Sequence, residues 1–252
     1  MPDEHSLEEK LLSQEAERKI SEKLDEVEQI EIDVQTDLLK IAQGQADGVS
    51  VAGEGLVIQQ DIRVQEIKLQ TDSINIDPLS VIFGQIKLNQ PVNAIAKITL
   101  TQADINRALS SELVREQMQS LELDVDGQIV SLELQKIQVF LPGAGKMEFR
   151  GKVLLKEMGN TRPLAYTAIA TPRTDSQPIM LESFNCTEGN GISIELITAL
   201  MHKAKEFINL PYYTWEDMKF TIKELKVEIG NLILTVETQV RQIPSSSNVL
   251  SL

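Results

Sequence analysis

Hydrophobic residues recur along this chain in two rhythms, and the switches between them mark the elements. Between residues 6 and 29, Leu12, Ala16, Ile20, Leu24 and Val27 fall three or four apart, which predicts an amphipathic helix, and Ser6 with Glu9 supplies a capping-box pattern at its start. From Ile30 the period becomes two. Ile30, Ile32 and Val34 predict a strand, residues 37–43 a short helix stopped at Gly44, and the glycines at 48, 53 and 55 predict turns. Ile62/Val64, Ile67/Leu69 and Ile74/Ile76 read as short strands of a meander. An apolar run at Leu79–Phe83 closes at Gly84, Ile86/Leu88 follow, and a longer strand occupies residues 92–100.

That strand runs into Leu100–Leu109, where the rhythm changes again. Thr101 reads as an N-cap, and Asp104 sits three residues on at the positive end of the helix dipole. Ile105, Ala108, Leu109 and Leu113 share one face of a helix expected to end near residue 119. Leu121, Leu123 and Val125 then alternate, Asp126-Gly127 is a pair favoured in type I′ hairpins, and residues 129–140 return as the partner strand. Pro142–Gly145 turns the chain. Further strands are expected at 147–156, 164–171 and 179–186, with a Pro- and Thr-containing loop at 172–178. A second amphipathic helix, residues 193–209, carries Ile194, Ile197, Leu200, Met201, Ala204 and Ile208 on one face, and Pro211 blocks its extension. A second hairpin follows, Phe220 to Ile229 and Leu232 to Val236 around Gly230-Asn231. Residues 101–140 and 191–240 thus share the order helix, strand, tight turn, strand, which suggests two copies of one unit. The expected fold class is α+β: an acidic amphipathic helix over residues 1–29, one domain over 30–242, and a disordered tail over 243–252, where Pro244 is followed by three serines.

Composition narrows the function classes. The 252 residues are 42% hydrophobic and 25% charged, ordinary for a soluble globular chain, and aromatics are only 4%. The interior must therefore be aliphatic, which suits a plain core and an acyl-chain cavity alike. A net charge of −14 opposes capture by nucleic acid or by an anionic bilayer. Residues 1–31 hold eleven acids and four bases, a net of −7, half of the total. Such a helix either packs on its own domain with a solvated acidic face or docks on a partner. Cys186 is the only cysteine, so there is neither an intrachain disulfide nor a thiolate metal cluster. Met1-Pro2-Asp3-Glu4-His5 lacks the charge and apolar run of a secretory signal, and no segment approaches the roughly 18 apolar residues of a membrane span. A cytoplasmic protein, peripheral at a membrane at most, is expected.

Motifs for chemistry are weak. Gly143-Ala144-Gly145-Lys146 lacks the glycine spacing of a phosphate loop, and Met147 stands where Ser or Thr is required. Asp124-Val125-Asp126-Gly127 opens like a calcium loop, but the later ligands do not follow and a hairpin turn explains it. His5 and His202 are far apart, with no carboxylate at metal-ligand spacing. No catalytic residue, metal site or cofactor is nominated, and a non-enzymatic protein is expected.

Several stretches carry a resemblance: Val34-Gln35-Thr36-Asp37-Leu38-Leu39-Lys40, Gly44 through Leu56, Gln70-Thr71-Asp72-Ser73, and Leu100 through Ala108. Together they make the chain, from about residue 20 to 243, resemble the LmeA-like phospholipid-binding family, in particular its signal-less cyanobacterial branch. The resemblance implies a fold related to tubular lipid-binding (TULIP-like) domains, with strongly curved antiparallel sheets wrapped against two long helices around an apolar groove. It implies no catalytic residues. On this reading the chain binds a phospholipid or other acyl lipid, in transfer or in sensing, and touches a membrane only transiently; Ile105, Leu109, Leu113, Ile197, Leu200, Met201 and Ile208 are the candidate lining residues. The alternative is a scaffold that docks a protein partner through the acidic helix.

Overall fold

A strand with an alternating pattern has to pair, and its register decides which side chains share a face. The computed structural model describes residues 7–59, 61–77, 87–112, 120–157, 159–172, 180–188, 192–208, 213–215 and 218–240. These residues form mostly antiparallel sheet with four helices: α1 (Leu7–Ser21), α2 (Leu38–Ala42), α3 (Gln102–Ser110) and α4 (Ile194–Ile208). The α+β class expected from the sequence is the class observed. The chain divides into two compact units, one of residues 1–99, 211–223 and 234–252, the other of residues 100–210 and 224–233.

In the first unit, β1 (Gln29–Gln35), β3 (Gly48–Gln59), β4 (Ile62–Thr71) and β6 (Val92–Thr101) lie side by side, continued by β14 (Asn231–Val240), β13 (Met218–Glu228) and β12 (Tyr213–Trp215) to give seven strands. A two-stranded ribbon joins β2 (Gln45–Ala46) to β5 (Ile74–Asn75). Ile32, Val51, Leu69 and Ala96 stand opposite one another in a single cross-strand row, and the adjacent row is Glu31, Ala52, Lys68 and Lys97. Because neighbouring rows point to opposite sides, the sheet has one apolar and one polar face.

The expected turns at Gly53 and Gly55 are instead positions inside β3, within one long hairpin with β4. Packing explains both glycines. A Cβ on Gly53 would lie 2.9 Å from Leu56 Cδ1, and Gly55 has φ +59° with the Glu28 side chain filling the space a Cβ would need.

The N-terminal helix is shorter than the periodicity predicts, ending at Ser21, and it uses an unforeseen face. β1 is an edge strand whose outward N–H groups need acceptors. Ile32 donates to Glu17 Oε1 at 2.9 Å, Val34 to Ser13 Oγ at 3.0 Å and Thr36 to Glu9 Oε1 at 3.1 Å. Steps of four residues along the helix, ~6 Å, match steps of two along the strand, ~6.6 Å. The apolar stripe read from sequence is only partly covered: Ala16, Leu24 and Val27 are half-buried, and Leu12 and Ile20 are 37% and 38% exposed.

The second unit is built on five strands in the order β11 (Met180–Glu188), β10 (Asn160–Thr171), β9 (Lys146–Glu157), β8 (Gln128–Gly143) and β7 (Ser120–Val125). The Asp126-Gly127 hairpin is as expected, with φ values of 52° and 82° and Gly127 N–H on Asp124 Oδ1 at 2.7 Å. β8 outruns β7, so residues 134–143 have one free edge. Helix α3 closes it. Asn106 accepts from Val139 N at 2.8 Å and donates to Val139 O at 2.7 Å, while Gln102 Oε1 accepts from Leu141 N at 2.8 Å. Thr101 caps α3 as predicted: its hydroxyl accepts from Asp104 N at 3.1 Å, and Asp104 Oδ2 accepts from Thr101 N at 3.3 Å. The turn at Gly230, φ +74°, completes the edge, accepting from Gln102 N and donating to Leu141 O.

The two helix-plus-hairpin units occur in the order expected but do not pack as copies. α3 lies on its own hairpin strand β8, whereas α4 lies on β7, a strand of the first hairpin, and β13–β14 join the seven-stranded sheet. The helix expected to run on to about residue 119 is interrupted, since α3 ends at Ser110 and Ser111 is extended. Other expectations fall wholly or partly outside the described residues: the Ser6 cap, the apolar run Leu79–Phe83 closed at Gly84, most of the loop at 172–178 and the tail at 243–252.

Candidate functional site: two sheet faces

Both units offer a sheet surface, and the two differ in chemistry. In the five-stranded sheet, register places Leu121, Leu123 and Val125 of β7 on one face with Val130, Leu132 and Leu134 of β8, Phe149, Val153 and Leu155 of β9, Leu164, Tyr166 and Ala168 of β10, and Phe184 and Cys186 of β11. The other face is tiled with ion pairs: Lys146 with Glu182, Lys152 with Glu188, Lys156 with Glu133, and Arg150 with Glu148, the Arg150 guanidinium also lying 4.5 Å above the Phe140 ring. Hydrogen bonds from Lys146 and Thr171 hold the Glu182 carboxyl below its ordinary pKa. Such exposed pairs contribute little to stability, but they keep that face wet and leave the opposite face to apolar contact.

The apolar face is sealed at one end. Leu196 of α4 packs with Leu123, Val130 and Leu155 into the core, and Val130 and Leu155 are 0% exposed. The Ser193 hydroxyl, accepting from Leu196 N at 3.2 Å, starts α4 at that point. On β10 Leu164 and Ala168 are buried too, whereas Phe149, Tyr166, Phe184 and Cys186 are half-buried.

The helix residues predicted to line a groove all belong to this unit. Ile105 and Leu109 are half-buried in α3, and Ile197, Leu200 and Met201 are half-buried in α4. Leu200 packs against the core cluster. α3 contacts β8 and α4 contacts β7, adjoining strands. Leu113 lies outside the described residues, and so does the side chain of Ile208.

Sequence reading passed over Tyr166 and Gly151. They pair directly across β10 and β9, and a Cβ on Gly151 would lie 2.6 Å from Cε1, Cζ and the hydroxyl oxygen of Tyr166. The Tyr166 ring therefore lies flat over the glycine, with Phe184 stacked on it at 5.4 Å between centroids and 11° between planes. Burial raises the phenol pKa above its ordinary 10.0. A glycine inside a strand is the one local sign of such a close approach.

The second surface is a groove of about 1040 Å³ on the polar face of the first unit's sheet. Glu31, Asp33 and Glu237 contribute carboxylates to it, Lys68 and Lys97 ammonium groups, and Ile95, 55% exposed, the large apolar side chain of its floor. Its volume is that of a ligand pocket, and most of the surface lining it is apolar, with Val51, Ala52, Leu69 and Ala94 among the lining residues beside the charged groups. The groove lies on the sheet of the first unit, whereas α3 and α4 and the candidate lining residues belong to the second.

Of the stretches that carry the family resemblance, Leu100 through Ala108 belongs to the second unit, while those around Thr36, Asp47 and Asp72 meet in the first unit through structural contacts. Asp37 caps α2 by accepting from Lys40 N at 2.9 Å, and Lys40 pairs with Asp47 at 2.6 Å. The buried Thr36 hydroxyl donates to Gln45 O at 2.9 Å, Val49 N donates to the Thr71 hydroxyl at 2.9 Å, and Asp72 accepts from Asn93 N and Nδ2. This network ties β1, β3, β4 and β6 together and leaves Leu38 and Leu39 exposed.

Among the described residues, no three His, Cys, Asp or Glu side chains gather as a metal site, and no helix is long and apolar enough to cross a membrane. No curated protein and no solved structure matches the chain. A family model described as LmeA-like phospholipid-binding matches residues 3–237, nearly the whole length that builds both sheets and all four helices, so the chain belongs to the LmeA-like phospholipid-binding family.

Proposed function

We propose that this protein binds a phospholipid without chemically altering it, and that the acyl chains lie on the apolar face of the five-stranded sheet beside α3 and α4. The observation that carries the reading is the one-sidedness of that sheet in a member of a phospholipid-binding family: ion pairs on one face, and on the other an apolar surface on which the aliphatic Leu164 and Ala168 are buried while Phe149, Tyr166, Phe184 and Cys186 stay half-buried towards β11. Ile105, Leu109, Ile197 and Met201 flank the chains in this proposal, and curling of the sheet around them would give the tubular geometry that the family resemblance implies. Lipid size follows from magnitudes. Sequestering one methylene contributes about 0.8 kcal/mol and association costs roughly 4–15 kcal/mol, so about 5–19 methylenes only offset that cost and more must be covered for firm retention. Two long chains meet that requirement and one short fatty acid does not. With a net charge of −14, the protein would meet a membrane through apolar contact in place of attraction to anionic headgroups.

Native mass spectrometry of the purified protein, followed by lipid extraction, tests the reading. The expected result is a bound species whose mass matches a two-chain phospholipid, displaced by added labelled phospholipid. A clean unliganded mass together with no uptake of the labelled lipid refutes it.

A further inference from the structure

The apolar face of the second unit contains a hydrogen-bonding group in an unusual setting. The Tyr166 ring is fixed from two sides, by Gly151 beneath it and by the stacked Phe184 ring. Since the hydroxyl is among the atoms above Gly151, it points from β10 over β9, towards the middle of the sheet and away from β11. There Ile137 pairs with Gly151 on the β8 side, and Phe149 and Val153 flank it along β9. None of these side chains can accept a hydrogen bond, the neighbouring backbone groups are engaged in the ladder, and among the described residues the hydroxyl has no protein partner.

In the empty protein, water can satisfy that hydroxyl. A lipid covering the face expels the water, and the hydroxyl is then left unpaired unless the lipid brings an acceptor of its own. A hydrocarbon segment cannot do so. An ester carbonyl can, and in a diacyl phospholipid it lies where the chains join the headgroup. Resting on the lipid-binding reading above, we infer that the Tyr166 hydroxyl donates to an ester carbonyl of the bound lipid, so that the protein selects ester-linked over ether-linked phospholipids. Tyr166 is the specificity-determining residue, Phe184 its positioning partner, and Gly151 the vacancy that lets the ring lie flat.

The test compares diester and diether phosphatidylcholines of equal chain length, each titrated into the full-length protein. Wild type should prefer the diester by about tenfold, equivalent to about 1.4 kcal/mol. Tyr166→Phe keeps the ring and its stack but should bind both lipids equally. Gly151→Ala, which forces the ring off the strand, should lose the same preference. The carbonyl stretch of the bound diester should be shifted to lower frequency by wild type and not by Tyr166→Phe, a signature that a purely packing role would not produce. Equal binding of the two lipids by wild type, or a preference that survives in Tyr166→Phe, overturns the inference while leaving lipid binding in place. Binding of neither lipid overturns the lipid reading itself and this inference with it.

Discussion

Replacing Asn106 by alanine should destabilise the protein by about 2–4 kcal/mol, a large cost for a side chain on a helix surface. Asn106 makes three hydrogen bonds: its amide nitrogen donates to Gln102 O at 2.9 Å and Val139 O at 2.7 Å, and its carbonyl oxygen accepts from Val139 N at 2.8 Å. That amide orientation is the one the geometry dictates, since two carbonyls face one end and an N–H faces the other. Val139 is 3% exposed, so water does not readily replace the lost partners. Leaving a buried N–H and C=O unpaired costs about 1–3 kcal/mol each, and the better helix propensity of alanine returns roughly 0.5 kcal/mol. Urea unfolding followed by far-ultraviolet circular dichroism measures the loss, and amide exchange at Val139 localises it. Asn106→Asp sharpens the test, because it preserves size and polarity but sets a carboxylate oxygen against the Val139 carbonyl, and it should be at least as damaging as alanine. A loss below about 0.5 kcal/mol for Asn106→Ala, or a benign Asn106→Asp, would refute the view that α3 is held by closing the β8 edge.

Three further outcomes follow from other contacts. Substituting Glu9, Ser13 and Glu17 together by alanine strips the acceptors from the β1 edge, so the amides of Ile32, Val34 and Thr36 should exchange about tenfold faster or more, and the protein should begin to self-associate through the bared edge, as read by light scattering. Gly127→Ala meets no atom within 4 Å, so its cost should be backbone strain alone at φ +82°, about 1 kcal/mol by urea unfolding, with the fold intact; full loss of structure would contradict the type I′ turn. The Glu182 carboxyl, held below its ordinary pKa of 4.5 first by the Lys146 hydrogen bond and then by that of Thr171, contributes stability above about pH 4.5 that is lost as pH falls through its lowered value, so Glu182→Gln should melt with a flatter pH dependence between pH 5 and pH 3 than wild type; parallel curves would contradict this.

Local chemistry made some of this molecule legible in its sequence. The Thr101 and Asp104 pair announced a capped helix because capping is decided within four residues, and Asp126-Gly127 announced its hairpin because only such residues accept two successive positive φ values. Periodicity was less reliable where the partner of an element lay far away. The stripe Leu12, Ala16 and Ile20 implied an apolar packing face for α1, yet a strand edge requires hydrogen-bond acceptors, and Glu9, Ser13 and Glu17 supply them at the same helical spacing. Gly53 and Gly55 look like turn residues from sequence alone, and only the positions of Leu56 and Glu28 show that they admit neighbours within a strand. The placement of β14 beside β6 is a long-range pairing that no local window contains. Ile105, Leu109, Ile197, Leu200 and Met201 lie on helices of one unit, but the aromatic pair Tyr166 and Phe184 and the glycine beneath it follow no motif, because their association depends on the register of β9, β10 and β11.

The central claim, that lipid chains occupy the apolar face of the five-stranded sheet, is tested most directly by a phosphatidylcholine with a photoactivatable group near the end of one acyl chain, irradiated on the protein and mapped by peptide mass spectrometry. The account predicts adducts on the inward positions of β8 to β11, among them Leu134, Phe149 and Ala168, and on the half-buried residues of α3 and α4. Adducts confined to the groove around Lys68, Ile95 and Lys97 on the seven-stranded sheet, or no adduct at all, would contradict it.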